Sequence, residues 1–232
     1  MKTSNLLQDE PLFFLENYCL SYDQCKVFED ISLSIYAGER VAIIGESGVG
    51  KSSLLEVLRL QLANKVAYAP QDHALVESLS VFHNLYMGGM NRHHFFYNFL
   101  NLLFPLDVEK VSILSLAKTL GLESVLWKSV SQLSGGQARR VILGRALNQQ
   151  RAIFIGDEIS SGLDYVQAEN IFKLIDGSYN TWILALHNID LAFRHCTRII
   201  ALKDRKILID APIDEIKPTD LSFIFRSKQL LS

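Results

Sequence analysis

The sequence predicts an α/β fold: a mostly parallel β-sheet flanked by helices, with an antiparallel strand pair at the N-terminus and a helical segment inserted mid-chain. Three patterns support this prediction. Apolar and polar residues alternate over residues 12–36, as in antiparallel strands. Short apolar runs recur at residues 40–44, 65–69, 151–158 and 181–188, as in buried parallel strands. Residues 72–149 follow a mostly helical period.

The first part of the chain is predicted to run strand, loop, helix and strand. A turn at residues 22–24 joins the N-terminal strands, and the strand at 40–44 leads through a glycine-rich loop into a helix at 51–61. The strand at 65–69 ends at Pro70, because proline has a fixed φ and no N–H to donate. The inward face of the helix is expected to carry Leu54, Leu55, Val57, Leu58 and Leu60.

The middle segment has polar breaks at residues 88–94 and 129–136 that divide it into several helices. A further helix at 165–174 connects the last two parallel strands, and the chain closes in a hairpin around Lys203, Asp204 and Arg205. With 232 residues and 49% hydrophobic content, residues 1–232 are expected to form one domain that contains a helical subdomain at 72–149.

Charge and cysteine content argue against several kinds of partner. The formal net charge is -2 with both signs dispersed, so no nucleic acid partner is expected. Cys19, Cys25 and Cys196 are scattered without a C-x-x-C pair, which indicates neither a disulfide framework nor a zinc site. The N-terminus lacks a leader pattern and no run reaches about 18 apolar residues, so a cytoplasmic chain without its own membrane span is expected.

Residues 95–106, FFYNFLNLLFPL, are dense in aromatic and leucine side chains. Asn98, Asn101 and Pro105 interrupt this stretch, which is too short to span a bilayer. Its apolar positions fit either a helix packed in a core or a surface that receives another protein. The sequence leaves both alternatives open.

The loop GESGVGKS at residues 45–52 matches G-x-x-x-x-G-K-[ST] between a strand and a helix. Its glycines allow successive N–H groups to turn around an anion, and the helix N-terminus adds partial positive charge. This predicts a P-loop NTPase core, in which Lys51 bridges the β- and γ-phosphates of ATP and the Ser52 hydroxyl binds Mg²⁺. The residues expected to contact the nucleotide are Gly45, Glu46, Ser47, Gly48, Val49, Gly50, Lys51, Ser52 and Ser53.

Two further motifs carry groups that suit phosphate chemistry. The strand AIFIGDE places Asp157 at its carboxyl end, where the residue would hold Mg²⁺ through water, and Glu158 next to it would polarise an attacking water. LSGGQ at residues 133–137 puts Ser134, Gly135 and Gly136 at the start of a helix. This turn is either a second anion site or an ordinary helix N-terminus preceded by a loop.

These motifs resemble those of the ATP-binding cassette (ABC) family over nearly the whole chain. Residues 45–52 look like its Walker A loop, residues 152–158 like its Walker B strand, and LSGGQ like its signature. The resemblance implies an ATPase in which the signature of one copy closes on the γ-phosphate held by another. Two ATP molecules would then lie between two subunits, with the signature residues contacting ATP in trans.

Four further residues fall at positions that the family uses. Tyr22 matches the residue that stacks on adenine, and Gln71 matches the Q-loop glutamine, which senses Mg²⁺ or the attacking water. Asp164 matches the D-loop across the dimer, and His187 matches the switch histidine that reaches the γ-phosphate. The resemblance thus implies catalytic roles for Glu158, His187 and Gln71, and metal binding by Ser52, Gln71 and Asp157.

Some features depart from the family pattern or need no special role. The short interval between Lys51 and Gln71 implies a trimmed antiparallel flank. Ile159 stands where a proline is common, and Tyr165 follows the D-loop aspartate, but neither removes a chemical group, so hydrolysis is still expected. The pair at 93–94 is expected to be a solvated loop, and the arginines at 139–140 to form structural ion pairs.

The resemblance implies the ATPase subunit of a multi-subunit transporter, peripheral on the inner face of the cell membrane. Integral membrane permease subunits would dock near Gln71 and the helical segment, close to apolar residues between Val76 and Phe104. Residues 74–89 and 120–137 look similar to phosphonate-importer ATPases, which implies a phosphonate or related oxyanion as cargo and a solute-binding protein acting through the permease. The alternatives are a soluble ABC ATPase that remodels a protein complex, such as the iron-sulfur assembly type, and an exporter or cell-division ATPase.

Overall fold

The computed structural model describes residues 10–22, 25–71, 75–221 and 224, without the side chains of Tyr22 and Cys25. Strands β1 (Phe13–Tyr22) and β2 (Cys25–Ile35) pair antiparallel, as predicted. Residues 23 and 24 of the predicted turn lie outside the described residues. Alternate side chains of the pair are buried, which fits a two-stranded sheet with one face on the core.

The main sheet of the described chain has six strands in the order β4, β5, β6, β3, β7 and β8. Neighbouring strands are parallel except β7 and β8, which form the predicted hairpin. Because β6 pairs with both β3 and β5, the carboxyl ends of these three strands lie side by side. The strands are β3 (Arg40–Gly45), β4 (Val66–Ala69), β5 (Ile153–Asp157), β6 (Thr181–Leu186), β7 (Arg198–Lys203) and β8 (Lys206–Pro212).

Two hydrophobic clusters pack against opposite faces of this sheet. In β3, Val41 and Ile43 belong to one cluster, whereas Ala42 and Ile44 belong to the other, because successive strand residues point to opposite faces. The first cluster also contains β1, β2 and helix α1 (Lys51–Gln61). The later helices, except the one at Phe95–Leu103, contribute buried residues to the second cluster.

Helix α1 confirms the predicted boundaries but not every predicted inward residue. Leu54, Leu55 and Leu58 are buried and Val57 is partly buried. Leu60 is 60% exposed, so its predicted inward position is wrong. Two residues beyond Leu58 it lies about 200° further around the helix, which turns it away from the sheet.

The described chain between β4 and β5 is helical, and the later helices lie on the same face of the sheet. The predicted polar breaks fall between α2 and α3 and before α5, while α6 extends beyond the predicted end at residue 174. No helix in the described ranges combines the length and the apolar content needed to cross a bilayer. The helices are α2 (Val81–Met87), α3 (Phe95–Leu103), α4 (Asp107–Thr119), α5 (Gly135–Leu147), α6 (Tyr165–Ser178) and α7 (Ile189–His195).

Candidate functional site

The glycine-rich loop connects the end of β3 to the first turn of α1. Gly48 and Gly50 have φ angles of +78° and +109°, a region that residues with a Cβ rarely adopt. A Cβ on Gly50 would lie 2.7 Å from the Phe28 ring, and one on Gly45 would lie 2.7 Å from the Leu202 carbonyl oxygen. Backbone geometry and close packing against β2 and β7 therefore both require glycine here.

The Lys51 side chain folds back over this loop. It is 5% exposed, and its Nζ donates hydrogen bonds to the carbonyl oxygens of Gly45 at 2.9 Å and Glu46 at 3.1 Å. Burial lowers the pKa of Lys51, and the carboxylates of Glu158 and Asp157 oppose that shift. An ammonium group beside the N-terminal amides of α1 suits an anion such as phosphate.

A cavity of about 440 Å³ opens beside the loop. The wall opposite the loop was not predicted, because its residues come from β2 and the β7–β8 turn, which carry no phosphate motif. The predicted adenine contact of Tyr22 falls on a side chain outside the described residues. Ser52 and Ser53 belong to the first turn of α1, behind the loop. The cavity is lined by Glu46, Ser47, Gly48 and Val49 on one side and by Lys26, Val27, Leu202, Lys203, Asp204 and Arg205 on the other.

Two buried side-chain oxygens of the described chain have no hydrogen-bond partner within it, and both lie in this site: Glu46 Oε1 and Asp157 Oδ1. Asp157 ends β5 and is 3% exposed. Burial raises the pKa of Asp157, and a hydrogen bond from Ser52 is the largest opposing effect. An orphaned carboxylate oxygen beside a hydroxyl fits the oxygen ligands that Mg²⁺ prefers.

Side chains of the described residues do not by themselves complete a metal centre at this point. The described residues contain no group of three or more histidine, cysteine, aspartate or glutamate side chains able to hold a metal ion. Mg²⁺ is commonly bound by one or two protein groups together with substrate phosphates and water. Ser52 and Asp157 fit such a partial site.

Glu158 brings together two other residues that the sequence singled out. Gln71 Nε2 donates to Glu158 Oε2 at 3.0 Å, and His187 Nε2 lies 2.5 Å from Glu158 Oε1. The backbone of Glu158 has φ +50° and donates to the Ala185 carbonyl oxygen at 3.2 Å. A positive φ is uncommon for a non-glycine residue, and here it turns the carboxylate toward the ends of β4 and β6.

The signature residues begin α5 and face outward. Ser134 caps the helix: its hydroxyl accepts from Gln137 N at 3.3 Å, and its own N–H donates to Gln137 Oε1 at 3.0 Å. A Cβ on Gly135 would meet nothing within 4 Å, and one on Gly136 would reach Leu163 at 3.8 Å. No hydrogen bond among the described residues joins this turn to the glycine-rich loop.

The D-loop residue is linked to α5 through its neighbours. Asp164 caps α6 by accepting from Gln167 N at 2.8 Å and is exposed. Arg139 donates to the Ser161 carbonyl oxygen, and Arg140 donates to the Leu120 carbonyl oxygen. The expected ion pairs of these arginines are therefore wrong for the described chain, because carbonyl oxygens of neighbouring turns accept their hydrogen bonds.

Other candidate sites carry structural contacts. His93 is not a solvated loop residue as predicted: its ring stacks on Tyr97 at 4.5 Å and its Nε2 lies 3.4 Å from Glu109 Oε1. His94 is exposed at the start of α3. Cys19 and Cys196 are free thiols, while the prediction for the third thiol falls on a side chain outside the described residues.

Comparison with known proteins places these features in one family. The family model described as ABC transporter matches residues 28–63 and 57–161. The phosphonates import ATP-binding protein PhnC of Maricaulis maris is 31% identical over 245 residues, covering 90% of this chain and 91% of that protein. PhnC of Lactococcus lactis is 33% identical over 232 residues, covering 88% and 94%.

Solved structures share the fold at lower identity. The dimeric post-hydrolysis state of the ATP-binding cassette MJ0796 with ADP and Pi has a TM-score of 0.70 at 24% identity, covering 86% of this chain and 98% of that one. A bacterial Atm1-family ABC exporter with ATP bound has a TM-score of 0.74 at 20% identity, covering 93% and 41%. Because the family model matches most of the chain and the two PhnC proteins are more than 30% identical to it, the chain belongs to the ABC transporter family and is one of its ATPase subunits.

Proposed function

We propose that this chain hydrolyses ATP at the site around Lys51, Asp157 and Glu158 and drives transport through separate permease subunits. The observation that carries the proposal is the convergence of Gln71, Glu158 and His187 beside a buried lysine and an orphaned aspartate. Residues 1–232 act as one ATPase domain, with residues 72–149 as its helical subdomain.

Each group has a chemical role in this proposal. The amides of the glycine-rich loop and the Lys51 ammonium bind the β- and γ-phosphates, and Ser52, Asp157 and Gln71 hold Mg²⁺. Bound Mg²⁺ supplies positive charge that offsets the charge on the phosphates. Such a metal would give a partner to the Asp157 oxygen that has none among the described residues.

Glu158 orients the water that attacks the γ-phosphorus and accepts its hydrogen bond. In the described conformation both carboxylate oxygens of Glu158 are engaged, one by Gln71 and one by His187. These bonds must rearrange before a water can take their place. His187 would then turn from the carboxylate toward the γ-phosphate.

The second half of each site comes from another copy. Ser134 and Gly135 are exposed at the N-terminus of α5, with open space beside Gly135. Asp164 is exposed at the N-terminus of α6, next to Leu163, which a Cβ on Gly136 would reach. Two copies facing each other would place this turn on the phosphates held by the opposite loop. ATP then stabilises the closed pair and hydrolysis releases it.

We further propose import of a phosphonate or related oxyanion, with the subunit peripheral on the cytoplasmic face of the membrane and a solute-binding protein acting through the permease. Support comes from the relatives named as phosphonates import proteins, which match nearly their whole length. Deletion of the gene should abolish growth on a phosphonate as sole phosphorus source but not on phosphate.

Growth of the deletion strain tests the proposed cargo, and recovery of the chain with membrane proteins tests transport itself. Restoration by the wild-type chain and not by Lys51→Ala supports ATP-driven import. Unchanged phosphonate growth in the deletion strain contradicts this cargo. A chain recovered only without membrane proteins would contradict transport and favour the remodelling alternative.

A further inference from the structure

Helix α3 turns two asparagine side chains inward and most of its apolar side chains outward. Its sequence, FFYNFLNLL, contains no charged residue, and its buried residues are Asn98 and Asn101. Of the two alternatives for this stretch, core packing of its aromatic residues is therefore wrong. We call the exposed set the aromatic face of α3: Phe95, Phe96, Phe99, Leu100, Leu103 and Phe104.

Hydrogen bonds fix this orientation. Asn98 donates to the carbonyl oxygens of Met90 at 2.8 Å and His93 at 3.1 Å, and accepts from Tyr86 Oη at 2.9 Å. Asn101 likewise donates to the Tyr97 carbonyl oxygen at 3.0 Å and accepts from the Leu106 N–H at 2.9 Å. Turning the helix to bury the rings would break these bonds and leave the hydroxyl of the buried Tyr86 without its acceptor, which is costly. The outward face is thus held by specific contacts.

The aromatic face is large for a surface left in water. Its phenylalanines are 74%, 82%, 53% and 71% exposed in chain order, and Phe95 contacts the rings of Phe96 and Phe99 at 5.7 and 6.3 Å. Because a buried aromatic side chain covers about 150–250 Å², these rings expose several hundred Å² in total. That approaches the roughly 800 Å² that one partner contributes to a standard interface.

The charges around the face indicate which partner fits. Lys110 Nζ pairs with Asp107 at 3.0 Å, and Glu109 faces His93 and Tyr97, so the acidic groups at the start of α4 are already engaged. A helix that binds anionic lipid needs lysine and arginine on its polar face, whereas the polar face of α3 carries two buried asparagines. Uncharged and aromatic, the face has the composition of a protein interface core.

We propose that the aromatic face of α3 is the anchor for a permease subunit, and that the permease meets it with an uncharged apolar surface. This inference rests on the proposed transport function and adds to it the contacting element and the chemistry of the partner. No residue of the face lines the cavity beside the glycine-rich loop or belongs to the hydrogen bonds of Glu158 with Gln71 and His187. Loss of the contact should therefore release the subunit from the membrane without removing the groups that hydrolyse ATP.

Site-specific photocrosslinking tests this placement in cells that carry the complete system. A tagged chain with p-benzoylphenylalanine at position 96 is irradiated and its adducts are identified by mass spectrometry; position 208 on β8, where Leu208 is 48% exposed, is the control. We expect an adduct with a polytopic membrane protein from position 96 and none from position 208. Adducts only with lipid, or only with a second copy of this chain, would overturn the proposal.

A double variant separates failure of this inference from failure of the transport proposal. Phe96→Ser with Phe99→Ser should reduce recovery with the membrane protein about tenfold or more, as loss of interface anchors does. ATP hydrolysis by the purified variant should equal that of the wild type. If the wild type co-purifies with a polytopic membrane protein and the variant does so equally, only the α3 proposal fails. If the wild type co-purifies with none, the transport proposal fails, and this inference with it.

Discussion

His187 Nε2 lies 2.5 Å from Glu158 Oε1, while the other oxygen of the same carboxylate accepts from Gln71. The group proposed to orient the attacking water is therefore already engaged on both sides. In the proposed mechanism, ATP binding would draw the histidine and the glutamine toward the phosphate and its metal. The carboxylate would then become available only when nucleotide is in place.

Lys51→Ala should weaken ATP binding about 10- to 100-fold, because hydrogen bonds to charged groups are worth roughly 1.5–3 kcal/mol. Lys65→Ala is the matched control: Lys65 is exposed, and only its backbone N–H and carbonyl form hydrogen bonds in the described chain. Isothermal titration calorimetry with MgATP measures the ATP affinity of both variants. Equal affinities for the two variants would remove Lys51 from the phosphate site.

Asp157→Asn should stabilise the protein in the absence of nucleotide while removing the stabilisation that MgATP provides. Burial raises the pKa of Asp157, and one carboxylate oxygen has no hydrogen-bond partner among the described residues. A neutral amide removes the cost of a buried charge there, about 1 kcal/mol. Thermal unfolding with and without MgATP measures both effects. Asp190→Asn on α7, where the side chain is exposed, is the control. A variant that gains as much from MgATP as wild type would contradict metal binding by Asp157.

Asn101→Ala should cost about 2 kcal/mol of unfolding free energy, because the Leu106 N–H loses its acceptor at 2.9 Å. Phe96→Ala, at a position 82% exposed, should change it by less than about 0.5 kcal/mol. Urea denaturation of both variants makes the comparison. A larger loss of unfolding free energy for Phe96→Ala than for Asn101→Ala would mean that α3 buries its aromatic face in solution.

Ser134→Arg should leave ATP binding by the monomer unchanged and prevent formation of the ATP-bound dimer. The arginine would fill the open space at the start of α5, where the second nucleotide is proposed to lie. Ser134→Ala is the control, since it removes the same cap, worth about 1 kcal/mol, without adding bulk. Loss of nucleotide binding in the monomer would show that this turn acts within one copy.

The convergence of three candidate site residues was predictable from the sequence, because each of them follows a predicted parallel strand. Glu158 and His187 come directly after β5 and β6, and Gln71 is the second residue after β4. Neighbouring parallel strands end at one edge of the sheet. Parallel pairing thus brings together residues that are 87 and 29 positions apart. The second wall of the cavity, from the β7–β8 turn, could not be predicted in this way, because its residues belong to no phosphate-binding motif.

The orientation of α3 was not predictable in the same way. Periodicity reveals an apolar stripe but not which stripe faces inward. That choice depends on partners for Asn98 and Asn101, namely the Met90 carbonyl and the Leu106 amide, whose positions are set by the folded chain. The ion pairs expected for the arginines of α5 failed for a related reason, because carbonyl groups at two turns were the nearer acceptors.

Size-exclusion chromatography with light scattering of the Glu158→Gln variant tests the central claim, that ATP is held between the glycine-rich loop of one copy and the serine-glycine turn of another. With MgATP the variant should elute at twice the mass of one chain and hydrolyse ATP at least about 100-fold more slowly than wild type, the scale of a lost general base. Adding Ser134→Arg should return it to a monomer. A Glu158→Gln protein that stays monomeric at saturating MgATP, or hydrolyses it at the wild-type rate, would contradict the account.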